Sequence, residues 1–202
     1  MALVKYNNNS ISAITTAGQL ASGGMVLISE QTASSSSTVD FTSGIDSTYP
    51  IYKFEFINIH PATDDVDLTF QVDTGTNTNY NQTITSTTFQ VYQPEDGSSN
   101  TLEYKTNRDQ AQGTAFQPLC QDIGNANDES MSGYLQIFNP SSSTFVKHFI
   151  GLGTNVYSGD ASIQIYSAGY INTTTAITRV RFKMDSGNID SGTIKLYGIK
   201  DS

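Results

Sequence analysis

Between Val66 and Asp73 the chain alternates without a break: Val66, Leu68, Phe70 and Val72 share one side, and Asp67, Thr69, Gln71 and Asp73 the other. Successive side chains of an extended strand emerge on opposite faces, so a strict period of two demands a strand with one apolar face. The pattern recurs over residues 176–184, where Val180, Phe182 and Met184 are expected inward and Arg179, Arg181 and Lys183 outward. Over 52–58, Tyr52, Phe54 and Phe56 oppose Lys53 and Glu55. Composition extends this bias to the whole chain, because Val, Ile, Thr, Tyr and Phe number 73 residues against 33 of Ala, Leu, Glu and Lys. Branched and aromatic side chains fit a pleated surface and lose rotamer freedom on a helix.

Further runs at 25–29, 38–41, 89–92, 134–138, 145–150, 163–167 and 192–199 bring the expected strands to ten, with turn-forming clusters at 139–143, 153–160 and 185–190. Short strands punctuated by turns predict an all-β, antiparallel sandwich or barrel. The segment 58–65 carries Pro61 and the pair Asp64 and Asp65, and predicts a turn that pairs the two strands flanking it.

Three stretches leave this rhythm. Residues 1–24 set isolated apolar anchors, Val4, Tyr6, Ile11, Ile14 and Leu20, among small polar residues. We read them as an extended N-terminal assembly arm or tether, able to span about 80 Å; a disordered terminus and a first edge strand are the alternatives. The sandwich domain then occupies 25–202. Within it, residues 93–131 are poor in branched and aromatic residues and read as a loop-rich insertion, or as irregular edge strands near 101–105 and 115–120. The serine run 34–37 reads as a turn or short linker.

The chain carries 10 basic and 19 acidic residues, a formal charge of −9, so its mean field repels nucleic-acid backbones and anionic membranes. Neither is an expected partner. The lone Cys120 excludes an intrachain disulfide. No apolar run of signal-peptide length follows Lys5.

Candidate chemistry is sparse. Asp64, Asp65, Asp67 and Asp73 offer hard oxygens of the type calcium prefers, and 122–129 is a second acidic loop, yet neither has the spacing of a known calcium loop, and solvated turns explain both. His60 and His148 are the only imidazoles, and neither sits in a hydrolase motif. Tyr80, Tyr92, Tyr104, Tyr157 and Tyr197 are candidates for a sugar-stacking platform that would recognise a host glycan, although Trp is absent. No catalytic residue, cofactor or metal is assigned.

Four segments resemble virion structural proteins of marine tailed bacteriophages, cyanophages in particular: 27–49 (LISEQTASSSSTVDFTSGIDSTY), 56–64 (FINIHPATD), 132–149 (SGYLQIFNPSSSTFVKHF) and 186–199 (SGNIDSGTIKLYGI). The resemblance covers most of 25–202, with the closing Gly-Thr-Ile-Lys-Leu-Tyr-Gly strand as its most specific part. It implies a jelly-roll-like β-sandwich without enzymatic activity, placed on the virion as a capsid decoration protein or as a tail, tail-fibre or baseplate component. The opening Met-Ala-Leu-Val-Lys is similar to the starts of phage tail-fibre proteins, which supports the tail alternative. The partners implied are capsid or tail proteins, and further copies of the chain around a symmetry axis, as a trimer. Assembly would take place in the host bacterial cytoplasm. No site residues come with the resemblance.

Overall fold

The structure, a computed structural model, describes residues 24–200. The arm anchors Val4, Tyr6, Ile11, Ile14 and Leu20 therefore lie outside the described residues. Twelve strands and no helix occur among those described: β1 (Met25–Ser36), β2 (Val39–Phe41), β3 (Ile51–Pro61), β4 (Leu68–Thr74), β5 (Ile84–Pro94) and β6 (Thr101–Tyr104), then β7 (Gln117–Pro118), β8 (Met131–Phe138), β9 (Lys147–Tyr157), β10 (Ala161–Ile171), β11 (Ile177–Met184) and β12 (Ile189–Ile199). They form an eight-stranded sheet of order β1-β12-β3-β8-β9-β10-β5-β6 and a four-stranded sheet of order β2-β11-β4-β7. Every pairing is antiparallel.

Setting aside β5, β6, β9 and β10 reveals the topology. The remaining eight strands, renumbered in chain order, stand as 1-8-3-6 in one sheet and 2-7-4-5 in the other, the jelly-roll arrangement of two Greek keys. The expected all-β antiparallel sandwich is thus present. Two excursions of the chain, β5–β6 and β9–β10, extend its larger sheet by four strands on one side.

The alternating residues fill the space between the layers. From the larger sheet, Phe54 and Phe56 meet Phe182 of β11 edge to face, with ring centroids 5.1 and 5.2 Å apart, and Phe41 of β2 contacts both Phe54 and Phe182. Phe70 of β4 meets Phe149 of β9 in the same way at 5.1 Å. All of these rings are buried. Such pairs add roughly 0.5–1.5 kcal/mol to the stabilisation from burial alone.

Three expectations need correction. The strands flanking 58–65 do not pair with each other: β3 pairs with β12 and β8, and β4 lies in the opposite layer. The segment crosses between sheets after Pro61, with Asn58 at φ 49° in the irregularity of β3 and Asp65 at φ 54° before β4, both residue types that tolerate a left-handed backbone. Secondly, β9 does not end before Gly151 but runs on to Tyr157, through the stretch read as a turn. Thirdly, Asp67, Thr69, Gln71 and Asp73 are not exposed, because β4 is covered on both sides.

What covers β4 is the 93–131 segment together with residues 80–82, which engage Asp73 and Gln71. Leu119 N–H donates to Leu68 O and Ile123 N–H to Val66 O, so residues 117–123 run beside β4. Leu119, Cys120 and Ile123 join the core. The strand β9 makes room for this with Gly151 and Gly153. A β-carbon on Gly153 would collide with the backbone oxygen of Leu119, and one on Gly151 would stand 2.7 Å from the Leu119 side chain. Glycine inside a strand marks such a close approach.

Candidate functional site

The polar side chains expected at a surface are mostly committed inside the molecule. Asp67 is buried and accepts N–H donations from Asp122, while its Oδ2 lies 2.6 Å from Arg108 Nε. Asp185 receives the Asp67 N–H. Burial raises the Asp67 carboxyl to about 7, against the pull of the Asp122 N–H and of the Arg108 charge. Asp73 accepts from Thr74 N, Tyr80 N and the Gln82 side chain, Asp64 accepts from Asn125 N, and Asp65 from the Ser158 hydroxyl. The four aspartates thus hold separate protein donors. Among the described residues no group of three His, Cys, Asp or Glu side chains is placed to hold a metal ion.

The two histidines do not converge. His60 Nε2 is 3.1 Å from the Ala126 carbonyl and Nδ1 is 3.6 Å from Asp190 Oδ2, in a polar cleft of about 450 Å³ that also presents Asn58, Asp128 and Glu129. The Nε2 atom is therefore engaged by the protein, and Glu129 caps its own loop by accepting from Ala126 N at 2.6 Å. His148 lines a different cavity, on the outward side of β9 beside Tyr170. Cys120 is fully buried, receives the Leu68 N–H at 3.0 Å, and has its thiol pKa raised by burial, so no thiolate is available for nucleophilic chemistry.

Strand β5 inverts the usual pattern. Three successive inward positions after the core residue Ile84 are polar: Ser86, Thr88 and Gln90 are at most 5% exposed. The insertion satisfies two of them, with Ser86 Oγ donating to Gln117 Oε1 at 2.6 Å and Thr88 Oγ1 to the Arg108 carbonyl at 3.1 Å, whereas Gln90 Oε1 is buried without a hydrogen-bond partner. The strand's outward positions include Phe89, 42% exposed, and Val91, 36% exposed, beside Thr85, Thr87 and Gln93. A sheet that hides amides and hydroxyls and shows phenylalanine to the outside has its chemistry turned round.

The neighbouring strands continue this outward face. Cross-strand register sets Tyr134 opposite Leu152, Leu152 opposite Tyr166, Tyr166 opposite Phe89 and Phe89 opposite Tyr104. These five side chains form one row across β8, β9, β10, β5 and β6, about 19 Å long at the usual strand spacing. Phe89 and Tyr166 are stacked, with centroids 4.8 Å apart and planes at 13°. A second row sets Val91 opposite Leu102, which is 70% exposed on the edge strand β6. Beside the rows, Ile150 and Ala168 border an apolar groove of about 420 Å³ that reaches His148, Phe138 and Tyr170. On β9, β10, β5 and β6 the outward positions 148, 150, 152, 154, 156, 162, 164, 166, 168, 170, 85, 87, 89, 91, 93, 102 and 104 include no Asp, Glu, Lys or Arg.

The tyrosines singled out from sequence are dispersed. Tyr80 is buried under the Arg181 guanidinium, Tyr92 meets Tyr157 edge to face, and Tyr197 stands on the same side of the sheet but on β12, three strands from β9. Only Tyr104 joins the row, with its hydroxyl donating to Asp109. The members missed from sequence, Phe89, Tyr166, Leu152 and Tyr134, carry an alternation that marks a shared face without saying whether that face is inside or outside. Comparison with protein-family models, curated proteins and solved structures finds no match.

Proposed function

We propose that this chain is a non-enzymatic structural protein of a tailed-bacteriophage virion, a capsid decoration protein that binds its neighbours through the outward face of β9, β10, β5 and β6. The observation that carries this reading is the uncharged aromatic and aliphatic row from Tyr134 to Tyr104. Contiguous apolar surface of this kind marks interaction sites on folded proteins, because its burial is favourable only against a partner. Support also comes from the jelly-roll topology, used by viral capsid and lectin domains, and from the resemblance of 27–49, 56–64, 132–149 and 186–199 to phage virion proteins.

Of the two uses of a jelly roll, the face favours protein contact over sugar binding. A sugar ring stacks on the open side of an aromatic ring, whereas the facing sides of Phe89 and Tyr166 are spent on each other. Residues 1–24, with Val4, Tyr6, Ile11, Ile14 and Leu20, are proposed as a second attachment, laid as a strand along a neighbouring sheet.

The test is to image purified particles of the phage that encodes the chain, with the protein labelled. Label on the head is the expected result; label on the tail selects the tail or fibre component instead; particles without label overturn the reading. Particles that bind a chain lacking residues 1–24 as well as the intact chain would remove the arm from the account. A glycan array showing saturable binding would return the face to host recognition.

A further inference from the structure

Resting on the assembly reading above, we infer that the occupant of the β9-β10-β5-β6 face is a second copy of this chain, packed row against row about a two-fold axis. Charge supplies the first argument. At −9, two copies repel over most of their surfaces, but the outward positions of these four strands carry no Asp, Glu, Lys or Arg. This is therefore a face on which two copies can approach without setting carboxylates against one another. Of the charges bordering the face, Glu103 and Lys105 pair with each other at 2.9 Å, and the Asp109 carboxylate accepts the Tyr104 hydroxyl.

Area supplies the second. Phe89, Val91, Leu102, Tyr104 and Ile150 are 36 to 70% exposed. Together they present on the order of 500 Å², at the upper end of the largest apolar patch on an ordinary monomer. With Leu152, Tyr166, Ala168 and Tyr170 the face approaches the ~800 Å² per partner of a standard stable interface.

Shape is the third. A two-fold contact needs a patch that complements itself. The stacked Phe89–Tyr166 pair forms a ridge, and the grooves of about 110 and 420 Å³ beside it, bordered by Ile150 and Ala168, form hollows. A two-fold rotation can set the ridge of each copy into the hollow of the other, with the sheets about 10 Å apart as in a sandwich. The partner this face fits is thus another antiparallel sheet with the same alternation of aromatic ridge and small-residue hollow.

Sedimentation equilibrium of the full chain over a concentration series tests this. The wild type is expected to reach twice the chain mass at micromolar concentration. Phe89→Glu, which places a carboxylate in the middle of the contact, is expected to weaken association at least about 100-fold while leaving thermal unfolding in place. Leu102→Glu, at the most exposed position of the rows, is expected to do the same and serves if Phe89→Glu fails to fold. Leu27→Glu, on β1 at the opposite edge of the same sheet, is expected to change nothing. A wild type that stays monomeric to ~100 µM, a trimer, or a dimer indifferent to both row variants overturns the inference. These outcomes are separate from particle location, because a monomer can still be found on the virion and a dimer can be absent from it.

Discussion

Arg108 Nε stands 2.6 Å from Asp67 Oδ2, and this contact fastens the 93–131 segment to the buried flank of β4. The carboxylate holding the fastening is raised to about 7 from an ordinary 3.8, with burial as the largest cause. Between about pH 4 and pH 7 the folded chain therefore holds a proton at Asp67 that the unfolded chain has released. Stability from this group is complete below about pH 4 and is lost as pH rises through 7, at about 1.4 kcal/mol per unit and roughly 4 kcal/mol in all. Urea unfolding at pH 5, 6 and 7 is expected to show stability falling, and Asp67→Asn is expected to flatten that dependence. A wild type equally stable across this range contradicts the assignment.

Gly153 tests the same fastening from the other side. A methyl group there meets the Leu119 backbone oxygen, which cannot retreat without breaking the Leu119 N–H bond to Leu68. Gly153→Ala is expected to cost at least about 3 kcal/mol, the scale of severe overpacking. Chemical denaturation measures it, and a loss below about 1 kcal/mol would show that 117–123 is only loosely seated.

Phe182 joins the two layers, touching Phe41, Phe54 and Phe56 edge to face. Removing its ring leaves a cavity bounded by three other rings. Phe182→Ala is expected to destabilise by about 3–5 kcal/mol in denaturant unfolding. A cost near 1 kcal/mol would place the centre of the core elsewhere.

Cys120 offers a probe that needs no substitution. Its thiol is fully buried with its pKa raised by burial, so an aromatic disulfide reagent is expected to leave it unmodified in native buffer and to react stoichiometrically in denaturant. Rapid native labelling would mean that the insertion opens readily.

The strands and their antiparallel sandwich were legible in the sequence because alternation reports directly which residues share a face, whereas the jelly-roll order was only implied by the resemblance. Val180, Phe182 and Met184 are buried as the pattern over 176–184 requires. The errors share one cause. Alternation on β4 identified Asp67, Gln71 and Asp73 as one face, but not that a distant polar segment would fold over it. On β5, Phe89 and Val91 form the apolar side of an ordinary alternation, and only the burial of Ser86, Thr88 and Gln90 shows that this side points outward. Gly153 resembled a turn residue because a strand glycine and a turn glycine look alike until the approaching Leu119 is known. Pairing of β3 with β12 and β8 depends on contacts more than 70 residues apart, which the local turn signal at 58–65 cannot convey.

The most direct measurement is a reconstruction of the particle that carries this protein, at a resolution that traces strands. The account requires every copy to have the row from Tyr134 to Tyr104 covered by a neighbouring subunit. Copies attached with Phe89 and Leu102 facing open solvent would contradict it.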